Sequence, residues 1–525
     1  MNQWIDRNHK YSLIDESGNF SINFAGMKFQ ESDLAALTPK FERARREMAN
    51  LENGAEKNPD EHRKVTHFTD RAAYRRSELF AEVNAFAEAL QKGEIVGSTG
   101  KKFTSAVING IGGSALGPQL MQFAINGPYW NELSDAKRNG YLKIYFLDNT
   151  DSSGLEDLLQ VMEPEKTLVI TISKSGGTRE TKNNLIALED FYAEKKLEFA
   201  KHAAAITMSG SELDKHARSA KWLRVFEMAE SIGGRTSETS IVGHLPAAVA
   251  GVDFGAFLDG ACAMDAWTRT PNSELNPAYM LAAMWYIAGK GKGDRNMVIV
   301  PYSDRLILMS RYLQQLVMES LGKELDLDGQ VVHQGLNVFG NKGGTDAHAF
   351  IQQLNDGRDD FFVTFIEILK DARNVPVAPG ITMGDYLHGF EAGLAAALRS
   401  KGRQVISIQM DQVNEENLGK LIALYERAVA VYAEFININA FHQPGVQAYK
   451  LAAGEILEFR AKLFDALRKI GKCTGTAAEI AAVTGYSDRE VEIAGLLDKA
   501  AENCTSGKIT RCYEAGKGVT YTIAM

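Results

Sequence analysis

From residue 103 to 178 the chain passes three times from a short apolar run to a small-residue turn and on into a helical pattern. Ser105-Ala-Val-Ile-Asn109 ends in Gly110-Ile-Gly-Gly-Ser114. Leu142-Lys-Ile-Tyr-Phe-Leu147 ends in Asp148-Asn149, and Thr167-Leu-Val-Ile-Thr-Ile172 ends in Ser173-Lys-Ser-Gly-Gly-Thr178. Runs this apolar, alternating with helices, predict parallel strands covered on both faces. The texture restarts with Asn296-Met-Val-Ile-Val-Pro301, Asp360-Phe-Phe-Val-Thr-Phe-Ile-Glu-Ile-Leu369 and Arg403-Gln-Val-Ile-Ser-Ile-Gln409. Helical patterns at 305–322, 382–400 and 415–438 separate these runs. The expectation is an α/β protein with two domains built on parallel-rich sheets, at 96–270 and 271–470. Residues 1–95 read as a helical N-terminal segment, with apolar residues at 3–4 spacing across 34–48 and 71–90. From 471, two short helices (476–483 and 488–497) and a hairpin (509–513 with 519–523) predict a small α+β C-terminal extension of winged-helix-like order.

Charge and composition narrow the function. Among 525 residues, 58 Lys+Arg against 67 Asp+Glu leave a net charge of −9, a poor match to a phosphate backbone. The extension itself holds six Lys/Arg and seven Asp/Glu, so it reads as a structural or partner-docking module and not as a nucleic-acid binder. No apolar run approaches the ~18 residues of a membrane span. The N-terminus, Met1-Asn-Gln-Trp-Ile-Asp-Arg, lacks a signal-peptide core, which points to the cytoplasm. Cys262, Cys473, Cys504 and Cys512 contain no CxxC pair, so neither a disulfide framework nor a structural zinc site is expected.

Ligands of parallel sheets bind outside the carboxyl ends of the strands. Two turns there, carrying Gly113 and Ser114 in one and Ser173, Lys174, Ser175 and Thr178 in the other, offer backbone amides, hydroxyls and helix N-termini to a phosphate. Gly110-x-Gly112-x-x-Ala115 is also a partial dinucleotide fingerprint, but Asp148 lies 36 residues beyond Gly112, farther than the usual ~20. Two such turns in neighbouring units favour a phosphorylated metabolite. Gly233-Gly-Arg235 places an arginine where the backbone can approach a ligand closely. On the expected 305–322 helix, Leu306, Met309, Leu313 and Leu316 form an apolar stripe, while Arg311, Gln315 and Glu319 recur on another face. Glu319 has Met318 and Leu321 as neighbours, a setting in which burial makes a carboxylate a better base. His348 falls in the first turn of an expected helix capped by Thr345 or Asp346, where the dipole favours neutral imidazole. Gln443-Pro-Gly leads into a helix with Lys450 near its start, a mildly unfavourable place for a cation. Taken singly, each feature has a plainer reading as a tight turn, a cap, a solvated face or a packed histidine.

In collinear order, Gly110-Ile-Gly-Gly-Ser-Ala-Leu-Gly-Pro118, Ser173-Lys-Ser-Gly-Gly-Thr-Arg-Glu-Thr181, Gly233-Gly-Arg235, Met318-Glu-Ser-Leu-Gly-Lys323, His348-Ala-Phe350 and Gln443-Pro-Gly-Val446 with Lys450 resemble the glucose-6-phosphate isomerase (phosphoglucose isomerase) family. The resemblance runs from about 100 to 465. It implies two sugar-isomerase (SIS) domains of three-layer α/β/α build and a homodimer. It further implies cofactor-free interconversion of glucose 6-phosphate and fructose 6-phosphate in glycolysis and gluconeogenesis. Ser114, Ser173, Ser175 and Thr178, with the Lys174 backbone, would hold the phosphate. Glu319 would be the base, Arg235 would stabilise a cis-enediolate, and His348 (from the partner subunit) and Lys450 would handle ring opening. Gln315, Gln443 and Glu180 would complete the pocket, with no metal. The chain departs from the family pattern at Thr236, His442, Gln447 and Tyr449, and its tail beyond 471 runs past the usual family end. Two alternatives differ in chemistry: a sugar-phosphate-binding regulator, which could discard Glu319, Arg235 and Lys450, and an isomerase of an amino sugar or another aldose phosphate.

Overall fold

Residues 12–23, inside the segment read as helical, instead fold as a hairpin of β1 (Ser12–Ile14) and β2 (Phe20–Asn23). Leu13, Phe20 and Ile22 alternate inward, and Asp15 Oδ1 accepts from the backbone N–H groups of Asn19 and Phe20 to close the turn. That alternation, with a polar turn ending in Gly18, is a strand signal which the 3–4 spacing of the later helices outweighed. Elsewhere the segment carries helices, as expected, at Thr38–Glu52, His67–Tyr74 and Glu78–Lys92. The computed structural model describes residues 2–503, 507–516 and 518–525.

The three turn-tipped runs become β3 (Ser105–Asn109), β4 (Lys143–Leu147) and β5 (Thr167–Ile172). With β6 (Ala203–Thr207) and β7 (Arg224–Glu227) they form a five-stranded, all-parallel sheet in the order β4-β3-β5-β6-β7. The sequence reading missed β6 and β7. Alanine-rich Ala203-Ala-Ala-Ile carries a helix-like composition, and pairing with β5 overrides it. The second sheet contains β8 (Asn296–Pro301), β11 (Val338–Phe339), β12 (Phe361–Ile368) and β15 (Gln404–Met410) as parallel neighbours. Two small antiparallel ribbons, β9 (Lys323–Leu325) with β10 (Val331–Gln334) and β13 (Pro376–Ala378) with β14 (Ile381–Thr382), stand outside it. The N-terminal hairpin extends this sheet by antiparallel pairing of β2 with β15, giving β1-β2-β15-β12-β8-β11.

Successive strand residues point to opposite faces, and both faces are buried. In β3, Ala106 and Ile108 enter the large core shared by the two sheets, whereas Val107 packs outward with Leu158, Leu188 and Tyr192. In β8, Met297 and Ile299 join the same shared core and Val298 and Val300 pack outward with Leu354 and Leu398. The helix Glu415–Phe435 is buried nearly throughout its length. Its charges are therefore paired. Arg427 Nη2 lies 2.7 Å from Glu52 and 3.1 Å from Asp265, and Arg71 reaches Glu426 at 2.8 Å and Asp265 at 3.1 Å. No helix of the described residues is long and apolar enough to cross a membrane.

Contacts divide the chain into two compact units, 1–442 and 443–525. The long helix Pro444–Ile470 thus falls with the C-terminal residues and not with the second α/β sheet, where the sequence reading placed it. Its Phe459, Leu463, Phe464 and Leu467 pack against Ile480, Ile493, Leu497, Ile509 and Tyr521. The expected helices and hairpin are present as Ala477–Thr484, Glu490–Asn503, β17 (Lys508–Glu514) and β18 (Gly518–Ala524). An unforeseen strand, β16 (Lys472–Thr476), pairs with β18, so the sheet has three strands.

Candidate active site

At the carboxyl end of β3 the chain turns through Gly112–Ser114 before the helix Leu116–Asn126. Gly112 has φ +58°, and a Cβ there would stand 3.0 Å from Gln315 Nε2. A Cβ on Gly113 would meet the Gly234 carbonyl oxygen at 1.8 Å, so this turn rests directly on the Gly233-Gly234-Arg235 turn. Ser237 Oγ reinforces the contact, donating to the carbonyls of Gly234 at 2.7 Å and Gly113 at 3.2 Å.

Arg235 is 8% exposed. Its Nε donates to Ser320 Oγ at 3.0 Å, its Nη2 to the carbonyls of Ala440 at 2.8 Å and His442 at 3.2 Å, and its Nη1 lies 3.1 Å from Glu319 Oε2. Burial pulls the guanidinium down from its usual value, and the Glu319 charge opposes this. Gln315 Nε2 also donates to Glu319 Oε2, at 3.2 Å. Glu319 is therefore ion-paired with its side chain 23% exposed, and its neighbour Met318 is exposed. The apolar setting expected from sequence is corrected to a polar one.

The element carrying these groups also differs from the expected continuous helix. Residues 304–319 run as a 3-10 turn Asp304–Leu306, a short α-helix Met309–Leu313 and a π-helical stretch Gln314–Glu319. The apolar stripe of Leu306, Met309, Leu313 and Leu316 is buried as read. The wider π turns set Gln315 and Glu319 on the face toward the glycine turn, an irregularity often met at functional sites. Lys323 closes the stretch, its Nζ donating to the carbonyls of Glu319 at 2.8 Å and Ser320 at 2.7 Å. Burial, with the Arg235 charge beside it, pushes Lys323 down to about 7.

The second turn follows β5. Ser173 Oγ accepts from Gly176 N–H at 3.1 Å and Ser175 Oγ from Gly177 N–H at 3.2 Å, which leaves both hydroxyl protons free to donate. Thr178 caps the helix Arg179–Glu194 without committing its hydroxyl to a helix amide. Lys174 Nζ donates to the carbonyls of Glu230 and of Ile232 (3.1 Å), tying this turn to the segment that leads into Arg235. Burial, and then the Arg63 charge, push Lys174 down to about 8. Glu180 Oε2 is buried and unpartnered in the same loop–helix junction.

His348 is exposed at the end of a 3-10 turn, Thr345–His348, whose N-cap is Gly344. The following α-helix starts only at Ile351, so the expected first-turn placement, and the dipole argument with it, does not apply. Asp346 instead accepts from Asn341 N–H at 3.0 Å. Gln443 and the exposed Lys450 lie in the second unit, at the start of Pro444–Ile470.

The sequence reading missed the struts of the site. Arg63 Nη1 donates to Ser231 O at 3.0 Å and its Nη2 to Phe441 O at 3.2 Å, while Asn58 Nδ2 donates to Phe441 O at 3.0 Å. The N-terminal segment thereby fastens the two stretches, 230–235 and 439–442, that hold Arg235. No periodicity could reveal bonds between residues this far apart in sequence.

A phosphoglucose isomerase family profile matches residues 33–392. The chain belongs to the phosphoglucose isomerase family. Its relatives include the glucose-6-phosphate isomerase of Nostoc punctiforme, 46% identical over 496 residues and 92% of each chain. That of Geobacter sulfurreducens is 44% identical over 519 residues and 96% of each chain. Only 4% of 525 residues, or 21, lie outside the Geobacter match, so most of the C-terminal extension is shared with that phosphoglucose isomerase relative. The resemblance read from the motifs stopped at about 465 and did not reach this extension. A crystal structure of a glucose-6-phosphate isomerase from Chlamydia trachomatis superposes with a TM-score of 0.77 at 29% identity, covering 87% of this chain and 91% of that one.

Proposed function

We propose that this chain interconverts glucose 6-phosphate and fructose 6-phosphate in glycolysis and gluconeogenesis, and that the Arg235–Glu319 pair is its reacting centre. The observation that carries the reading is that pair, 3.1 Å apart, with Gln315 donating to Glu319, set against a glycine turn at the end of a parallel strand. An aldose–ketose shift needs one base that reaches two adjacent carbons and a fixed positive group for the oxyanion. Glu319 takes the proton from C2 of the open-chain aldose. The C–H electron pair becomes the C1–C2 double bond, and the carbonyl pair moves onto O1, where Arg235 stabilises it. Returning the proton to C1 while the O2 proton passes to O1 gives the ketose. The site asks for no cofactor or metal in these steps.

The hydroxyls of Ser114, Ser173, Ser175 and Thr178, with the amides of Gly113 and Lys174, bind the remote phosphate and so orient the reacting carbons. Glu180 and Gln315 complete the pocket. The exposed placement of His348 suits a residue that crosses to the partner of a homodimer, as the family resemblance implies. We assign the five-stranded sheet to the first sugar-isomerase domain, 96–270, and the six-stranded sheet to the second, and place the enzyme in the cytoplasm.

The test converts fructose 6-phosphate and couples glucose 6-phosphate formation to NADPH through a dehydrogenase, with and without EDTA, for the wild type and Glu319→Gln. EDTA-resistant turnover that falls on the order of 10³-fold in the variant is the expected result. No turnover despite tight sugar-phosphate binding would leave a regulator, and turnover lost with EDTA would refute the metal-free steps.

A further inference from the structure

A second cluster of ligand-bearing side chains lies on the sheet that does not carry the glycine turns. Parallel pairing sets Glu367 of β12 beside Gln409 of β15, and antiparallel pairing sets Gln409 beside Ser21 of β2. The helix Met383–Ser400 brings His388 and Glu391, one turn apart, against these strands. One ligand atom from each of Glu367, His388 and Glu391 lies within 4.8 Å of the other two.

The two carboxylates are each 6% exposed. Gln409 Nε2 donates to Glu367 Oε2 at 2.6 Å, and His388 Nδ1 lies against Glu367 Oε1. Glu391 has neither a hydrogen bond nor an ion-pair partner among the described residues, although it is buried and its carboxylate points into the cluster. Burying two carboxylates side by side is unfavourable unless a cation or a proton neutralises them. The one imidazole present is 63% exposed and hydrogen-bonds only Glu367, while its charge and that of Arg399 act on Glu391 without contacting it. None of these side chains is hydrogen-bonded to Glu319, Arg235 or the glycine turns among the described residues.

We propose that Glu367, His388 and Glu391 bind one divalent transition-metal ion of the Zn2+ class. Bonds of 2.0–2.2 Å separate tetrahedral ligands by about 3.4 Å, so the exposed His388 needs only a side-chain adjustment to close the triad. The imidazole selects against Mg2+ and Ca2+, which prefer all-oxygen shells. Gln409 fixes the Glu367 carboxylate as metal sites require of their supporting hydrogen bonds. The ion pins the 383–400 helix to β12 and takes no part in isomerisation.

The experiment is equilibrium dialysis of the reduced, EDTA-stripped, full-length protein against micromolar free Zn2+, with bound zinc counted by atomic emission. Wild type is compared with Glu391→Gln and His388→Ala; the second removes an exposed side chain, and fructose 6-phosphate turnover checks that both variants fold. The expected result is one more ion per chain in the wild type than in either variant, with thiol-bound zinc cancelling in the difference. Equal zinc in the wild type and either variant overturns the proposal.

Discussion

Gly113→Ala tests whether contact between two backbone turns sets the reacting geometry. A Cβ at 113 falls 1.8 Å from the Gly234 carbonyl oxygen and 2.3 Å from its carbon, whereas real Cβ atoms do not come within 3.0 Å. Backbone faces backbone here, so no side chain can swing aside. One turn must retreat by at least the missing 1.2 Å. If the 112–114 turn yields, Ser114, the phosphate donor we propose, moves. If the 233–235 turn yields, Arg235 moves and its bonds to Ser320, Ala440 and His442 stretch. A misplacement of about 1 Å lowers the rate on the order of 10²-fold, equivalent to about 2.7 kcal/mol. The assay is kcat/KM for fructose 6-phosphate, with circular dichroism to verify folding. Gly233→Ala is the control, because that residue has φ −78° and the nearest atom to its added Cβ is Thr236 Oγ1 at 3.5 Å. Gly113→Ala should lose on the order of 10²-fold, with the control close to wild type. A folded Gly113→Ala enzyme of wild-type activity, or equal losses in the two variants, would refute the reasoning.

Arg235→Lys keeps the charge but has one nitrogen where the guanidinium uses three, so kcat should fall about 10²–10³-fold with little change in KM; a raised KM at constant kcat would make Arg235 a binding group only. Glu238→Gln should change the pH dependence of stability. Burial, and then the charge of Glu426, hold the Glu238 carboxyl well above its usual value, and neither oxygen has a partner. The folded state thus keeps a proton that the unfolded chain releases above about pH 4.5, so wild-type stability falls as pH rises, by at most about 1.4 kcal/mol per unit. The glutamine variant lacks this slope, and the gap between the two melting curves should widen from pH 5.5 to 8; a constant gap would contradict it. Leu497→Ala, fully buried in the second unit, should destabilise that unit by about 2–5 kcal/mol, seen as faster amide exchange confined to 443–525.

The sequence alone determined the strands that end in the two glycine- and hydroxyl-rich turns, the buried stripe of 306–316, and the helices and hairpin of the extension. Local spacing carries these features, because a strand buried on both faces or a helix buried on one must write that burial into neighbouring residues. It also named Arg235 and Glu319 through short motifs. Only the tertiary structure decided that they form an ion pair, because the 83 residues between them hold no record of distance. The π turns of 314–319, the Arg63 and Asn58 struts, and the addition of β2 to β15 arise in the same way, from partners brought together by packing. So does the Glu367–His388–Glu391 cluster: strand register and a helix face converge there, and neither is a motif by itself. Periodicity reports which side of an element is buried, and only the assembled chain fixes what it is buried against.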